Sequence, residues 1–167
     1  MRTFNSKLDA NVDNVLISKY PAAHAKQIRH YMKYTLENDH PDNVIIVAGS
    51  NDVAYDTAKG VADAGVIADR ILQIAADAKA AGVQEVFISS IMKRRGKQYM
   101  NIINDINIIL QLKCLDKGYH FVDNSNISLY DLSDGLHLNP YGNIKFMGNL
   151  LRCCESYNPY LDGDYLD

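Results

Sequence analysis

Asp134 and His137 stand three residues apart in the run Ser133-Asp134-Gly135-Leu136-His137-Leu138-Asn139-Pro140-Tyr141-Gly142. A histidine whose ring is oriented by a carboxylate is a general base for a nucleophile. The spacing also fits a loop histidine with an incidental acidic neighbour. The residues on the C-terminal side of the pair fix its position. Asn139 is a good N-cap, Pro140 suits a first helical turn, and Ile144, Met147, Leu150 and Leu151 recur at helical spacing. The pair is therefore expected on a loop just ahead of a helix that begins at Pro140.

A second cluster comes after the apolar run Asn43-Val44-Ile45-Ile46-Val47-Ala48, and reads Gly49-Ser50-Asn51-Asp52. Gly49 permits a tight turn and close backbone approach, and Asn51 offers an amide donor. Ordinary turn chemistry accounts for the same four residues. His24, His30, His40 and His120 form no helical i, i+4 pair and have no cysteine partner set, so no metal and no cofactor is expected.

The elements that must position these residues alternate along the chain. Strands are expected at Val15–Tyr20, Asn43–Ala48, Glu85–Ser90 and Tyr119–Asp123. Helices are expected from about Ala25 to Asn38, Val61 to Ala81, Gln98 to Lys117 and from Pro140 onward. Strand and helix taking turns implies βαβ units and a parallel sheet between helices. Ligands bind such sheets at the carboxyl ends of the strands, which makes the loops after Ala48, Ser90 and Asp123 the expected site rim.

The length of 167 residues suits one domain with its own core, expected over residues 1–154, with an acidic tail from Glu155 to Asp167. A net charge of -3 gives no electrostatic case for nucleic acid over the whole surface. The basic run Lys93-Arg94-Arg95-Gly96-Lys97 reads as a solvated loop or a local phosphate contact. Cys114, Cys153 and Cys154 form no disulfide framework, which suits a reducing, cytoplasmic compartment. No apolar run reaches transmembrane length.

Taken together, Val44–Asp52 and Asp134–Asn139 resemble the third and fifth sequence blocks of the SGNH (GDSL-type) hydrolase superfamily. Lys19-Tyr20-Pro21-Ala22-Ala23-His24-Ala25 resembles its second block, in particular as found in SGNH domains of mobile-element-related animal proteins. The likeness runs from about Phe4 to Leu151. It implies a flavodoxin-like three-layer α/β/α sandwich and ester hydrolysis through an acyl-serine. By position it implies His137 as base, Asp134 as its orienting carboxylate, and Asn51, Ala22 and Gly49 around the oxyanion hole. Ala22 stands where the family has a glycine, and keeps a usable N–H only where φ is negative.

The Gly-Asp-Ser block that carries the family's nucleophile, and with it the first strand, is absent from the sequence. Ser50 is the one serine beside the expected site and so the substitute nucleophile to test. The expectation is an incomplete or inactive esterase-type domain, a pseudoenzyme, whose intact relatives take small ester substrates. Its sheet gap is expected to be filled by self-association or an upstream segment. The alternatives are a non-catalytic SGNH-like RNA- or protein-binding module, with Lys93, Arg94, Arg95 and Lys97 as its first test, and an unrelated flavodoxin-like domain.

Overall fold

In the computed structural model, which describes residues 18–157, the first regular element is the helix α1 (Ala25–Asp39). Then come strand β1 (Asn43–Ile46), helices α2 (Ser50–Ala58) and α3 (Ala64–Ala80), strand β2 (Glu85–Ser89), helix α4 (Lys97–Lys117) and strand β3 (His120–Val122). A 3₁₀ turn (Leu129–Asp131) precedes the last helix, α5 (Pro140–Tyr157). The described strands form a parallel sheet in the order β1-β2-β3. Asn43 pairs with Glu85, Ile45 with Phe87, and Phe87 with His120. Parallel neighbours need crossovers, and here helices supply both.

Strand alternation divides the core into two faces. Ile46, Val86 and Ile88 pack in one cluster with Ile67, Ile71 and Ile74 of α3, Ile103, Ile106 and Leu110 of α4, and Leu36 of α1. Each fully buried Ile or Leu contributes about 1.5–3 kcal/mol. Phe87 and Val122 belong to the opposite face, where α5 packs on β3 and the Cys153 thiol reaches the Phe121 carbonyl. Ile45 shares that face by register with Phe87, yet it is 45% exposed, so the cover given by α5 stops short of β1. The result is an α/β domain with a parallel sheet flanked by helices, the fold class its alternating sequence implies.

Besides shifts of one or two residues at the ends of other elements, four stretches depart from the sequence expectation. The strand expected at Val15–Tyr20 lies outside the described residues up to Ile17, and Ser18–Tyr20 form no strand. Helix α3 starts at Ala64 rather than Val61, because Asp63 caps it by accepting from the Val66 N–H at 2.9 Å, and Val61 is exposed. The Ser50–Ala58 stretch, expected as turn and loop, is the helix α2. Helix α5 continues to Tyr157, into the stretch expected as tail; residues 158–167 of that tail lie outside the described residues. Among the described residues no helix is long and apolar enough to cross a membrane.

Candidate functional site

Three loops at the carboxyl ends of the strands meet, together with the turn ahead of α1. That turn is Tyr20-Pro21-Ala22-Ala23, closed by the Ala23 N–H on the Tyr20 carbonyl at 3.1 Å. Ala22 has φ 60. Proline at the second position and a positive φ at the third mark a type II turn, whose third position favours glycine. The backbone N–H of Ala22 has no partner among the described residues, but alanine holds this conformation at a cost of about 1–2 kcal/mol. Negative φ at this position, the condition for an unstrained donor, is not met.

The loop after β1 turns into α2 at Gly49, which has φ 106. A side chain there would press on Ile71 Cδ1 and Ile91 Cδ1, so this glycine is required both by conformation and by packing. Asn51 donates one amide hydrogen to the Ala23 carbonyl at 3.0 Å, which binds the start of α2 to the Pro21–Ala23 turn. Its other amide hydrogen has no partner among the described residues. Ser50 opens α2, and its carbonyl accepts from Arg94 at 3.1 Å.

Asp52, fully buried, does what sequence reading missed. One carboxylate oxygen accepts the Ala25 N–H at 2.9 Å and so caps α1 from another helix. The other accepts from Arg70, which also bonds Asp56 at 2.9 Å. Arg70 thus gives both carboxylates on the buried face of α2 a cationic hydrogen-bond donor. The adjacency of Asp52 to Asn51 is the only sequence signal that could have pointed to it.

The loop after β2 carries the basic run, and much of its charge is spent internally. Lys93 Nζ donates to the carbonyls of Ser125 and Ile127 at 2.8 and 3.2 Å. Arg94 bonds Ser50 and lies over the Tyr99 ring, 4.5 Å from its centre. The Arg95 N–H donates to the Gly135 carbonyl at 2.8 Å, which joins this loop to the Asp134–His137 turn. Ser89 and Ser90, at the end of β2, are buried in bonds with Asn124 at 2.8 and 3.0 Å and are structural.

Asp134 and His137 are in direct contact: His137 Nδ1 lies 2.6 Å from Asp134 Oδ2. Asp134 Oδ1 accepts the backbone N–H groups of His137 and Leu136 at 2.7 and 2.9 Å. The His137 N–H, then its ring, then the Leu136 N–H hold the Asp134 carboxyl well below the usual carboxylate range. An ionised carboxylate only accepts, so Nδ1 carries the hydrogen of this contact. Leu132 bridges Leu138, and the Ser133 N–H donates to the His137 carbonyl at 2.8 Å, closing the turn beneath the pair. Asn139 fastens the turn to α5, accepting the Gly142 N–H at 2.9 Å as an N-cap should.

The side chains of Asp134 and His137 are 54% and 59% exposed. Two hollows of about 530 and 250 Å³ flank α4, and Asn51, Asp134 and His137 line neither. The cluster is a shallow surface site. His120, one of the histidines without a metal pattern, is 2.6 Å from Glu85.

Among known proteins, no family model matches this chain, and no curated protein matches it. Solved structures do. LAE5, an alpha/beta hydrolase enzyme from the metagenome of Lake Arreo, Spain, superposes with a TM-score of 0.74 at 13% identity, over 94% of this chain and 81% of that one. A member of the lipolytic protein G-D-S-L family from Veillonella parvula gives 0.72 at 13% identity, over 89% and 85%. A catalytic mutant of Axe2, an acetylxylan esterase from Geobacillus stearothermophilus, gives 0.66 at 14% identity, over 79% and 68%. The likeness is one of fold.

Proposed function

We propose that this chain carries the base and the oxyanion donors of an SGNH (GDSL-type) ester hydrolase without the serine that attacks. The observation that carries the reading is the Asp134–His137 contact of 2.6 Å on the loop after β3, joined through Arg95 and Arg94 to the Ser50–Asn51 start of α2. Its support from outside the chain is the fold shared with hydrolases. In the full reaction a serine hydroxyl adds to the ester carbonyl as His137 Nε2 takes its proton. Asn51 and the backbone N–H of Gly49 stabilise the oxyanion, while Ala22, held at positive φ, offers its N–H only from a strained turn. His137 then returns the proton to the departing alcohol, and water releases the acyl group by the same path in reverse.

Ser50 is the nearest serine in sequence to those donors, and the chain alone is expected to give no product burst with short-chain nitrophenyl esters. A burst that vanished in Ser50→Ala would make Ser50 the nucleophile instead. The decisive experiment attaches an apolar strand ending in Gly-Asp-Ser ahead of the present sequence. Among the described residues the outer edge of β1 has no strand beside it, and such a segment would pair with it. The thermal midpoint should rise and ester turnover should appear, disappear in His137→Ala, and fall about 10²–10³-fold in Asn51→Ala. Turnover indifferent to His137, or a rise in neither quantity, overturns the reading.

A further inference from the structure

We propose that Arg95 selects substrates carrying an oxyanion group, a carboxylate or a phosphate, on the part that lies over the Gly135 turn. Of the three cations in the loop after β2, Lys93 and Arg94 are committed to backbone carbonyls. Arg95 differs. Its backbone is bonded to the Gly135 carbonyl at 2.8 Å, and its stem lies flat on that glycine. A Cβ built on Gly135 would sit 2.9 Å from Arg95 Cβ and 3.3 Å from its Nε. Gly135 is buried with φ 83, so this close approach depends on its lacking a side chain.

The guanidinium at the end of that clamped stem has no hydrogen bond and no ion pair among the described residues. The nearby carboxylate in sequence, Asp134, is already engaged by the His137 ring and two backbone N–H groups. A cation that is fixed at its base, exposed at its tip and held against the turn that carries the imidazole is a built recognition group. Its planar fork matches the paired oxygens of a carboxylate or phosphate. Holding the stem in advance lowers the ordering cost of binding. The substrate class is then esters whose acyl or alcohol part bears a negative charge, in preference to neutral alkyl esters.

The inference takes its chemistry from the hydrolase reading, but its binding step is measurable without turnover. The test is nuclear magnetic resonance of the Arg95 Nε–Hε group and the Gly135 amide during titration with inorganic phosphate and, separately, acetate, at constant ionic strength. Both signals should move to saturation with at least one of the two anions, and the pair of titrations separates phosphate from carboxylate recognition. Arg95→Gln should weaken binding about tenfold or more, since a charge-assisted bidentate contact is lost. Arg95→Lys should restore part of it, and Lys97→Gln should change it less than about twofold, the scale of a screened surface charge. Drift without saturation for both anions, or equal loss in Lys97→Gln and Arg95→Gln, overturns the proposal. Saturable, Arg95-dependent binding in a serine-supplied chain that shows no turnover counts against the hydrolase reading alone. Turnover that ignores substrate charge and Arg95→Gln counts against Arg95 alone.

Discussion

Ala22 is where a single side chain opposes its own backbone. The Pro21–Ala22 turn needs a positive φ, and alanine supplies it under strain. Ala22→Gly should raise stability by about 1 kcal/mol, the strain relieved less the extra freedom of glycine in the unfolded chain. That is a rise of about 2–4 °C in the thermal midpoint for a chain of this size. An unchanged or lowered midpoint would mean the turn is not strained. Asp134 gives a prediction in pH. Its folded pKa lies below its unfolded value, so its contribution is complete above the unfolded value of about 4 and is lost as pH falls towards the folded one. Asp131, held down by Lys145 and Ser128, and Asp77, held down by Arg29, act with the same sign. The His137 Nδ1 proton should therefore keep its downfield resonance at pH 4 and lose it only in stronger acid. Disappearance in step with an ordinary carboxylate titration would contradict the hydrogen bonds assigned to Asp134. At this scale the Asp134–His137 contact was legible because it is local in sequence. The strain at Ala22 was legible only as a condition on φ.

Helix α2 escaped sequence reading for a physical reason. Its buried face is made by Asp52, Val53 and Asp56, and two of those three are carboxylates that share Arg70 from α3. Hydrophobic periodicity detects faces buried against hydrocarbon, and a face buried against a guanidinium leaves no such signal. The longer helices α3 and α4 bury Ile, Leu and Ala stripes and were legible to within a few residues. Helix α5 has its own close approach. At Gly142 a methyl group would collide with the Asp131 carbonyl, which is backbone, whereas at Gly148 it would meet the tip of Arg152 at 3.4 Å. Gly142→Ala should cost about 1–3 kcal/mol by overpacking, despite the better helix propensity of alanine. Gly148→Ala should be neutral or stabilising by up to about 1 kcal/mol. Chemical denaturation of both variants checks this, and equal effects would refute the packing argument. Cys114 on α4 shows the same burial chemically: desolvation, then its neighbour Cys153, pushes its thiol up to about 11, so it is an apolar packing group at neutral pH.

Taken whole, the molecule is assembled by two kinds of closure. Each sheet pairing, Asn43 with Glu85 and Phe87 with His120, must await a complete helical crossover. The order of layers was legible from the alternation of elements, while the incomplete cover over Ile45 was not, because exposure depends on where α5 ends its packing. The Asp134–His137 turn closes differently, through Leu132 with Leu138 and Ser133 with His137, only a few residues apart. Disassembly should mirror that difference. In hydrogen exchange with increasing denaturant, the amides of Leu136 and His137 should open by small, denaturant-insensitive fluctuations, and those of Val86 and Ile88 only with the whole domain. Common exchange of all four would show one cooperative unit. Two units would mean that the imidazole and its carboxylate part and re-form while the sheet stays closed. The contact between them is then a latch, opened and remade in place while the strands beside it stay paired.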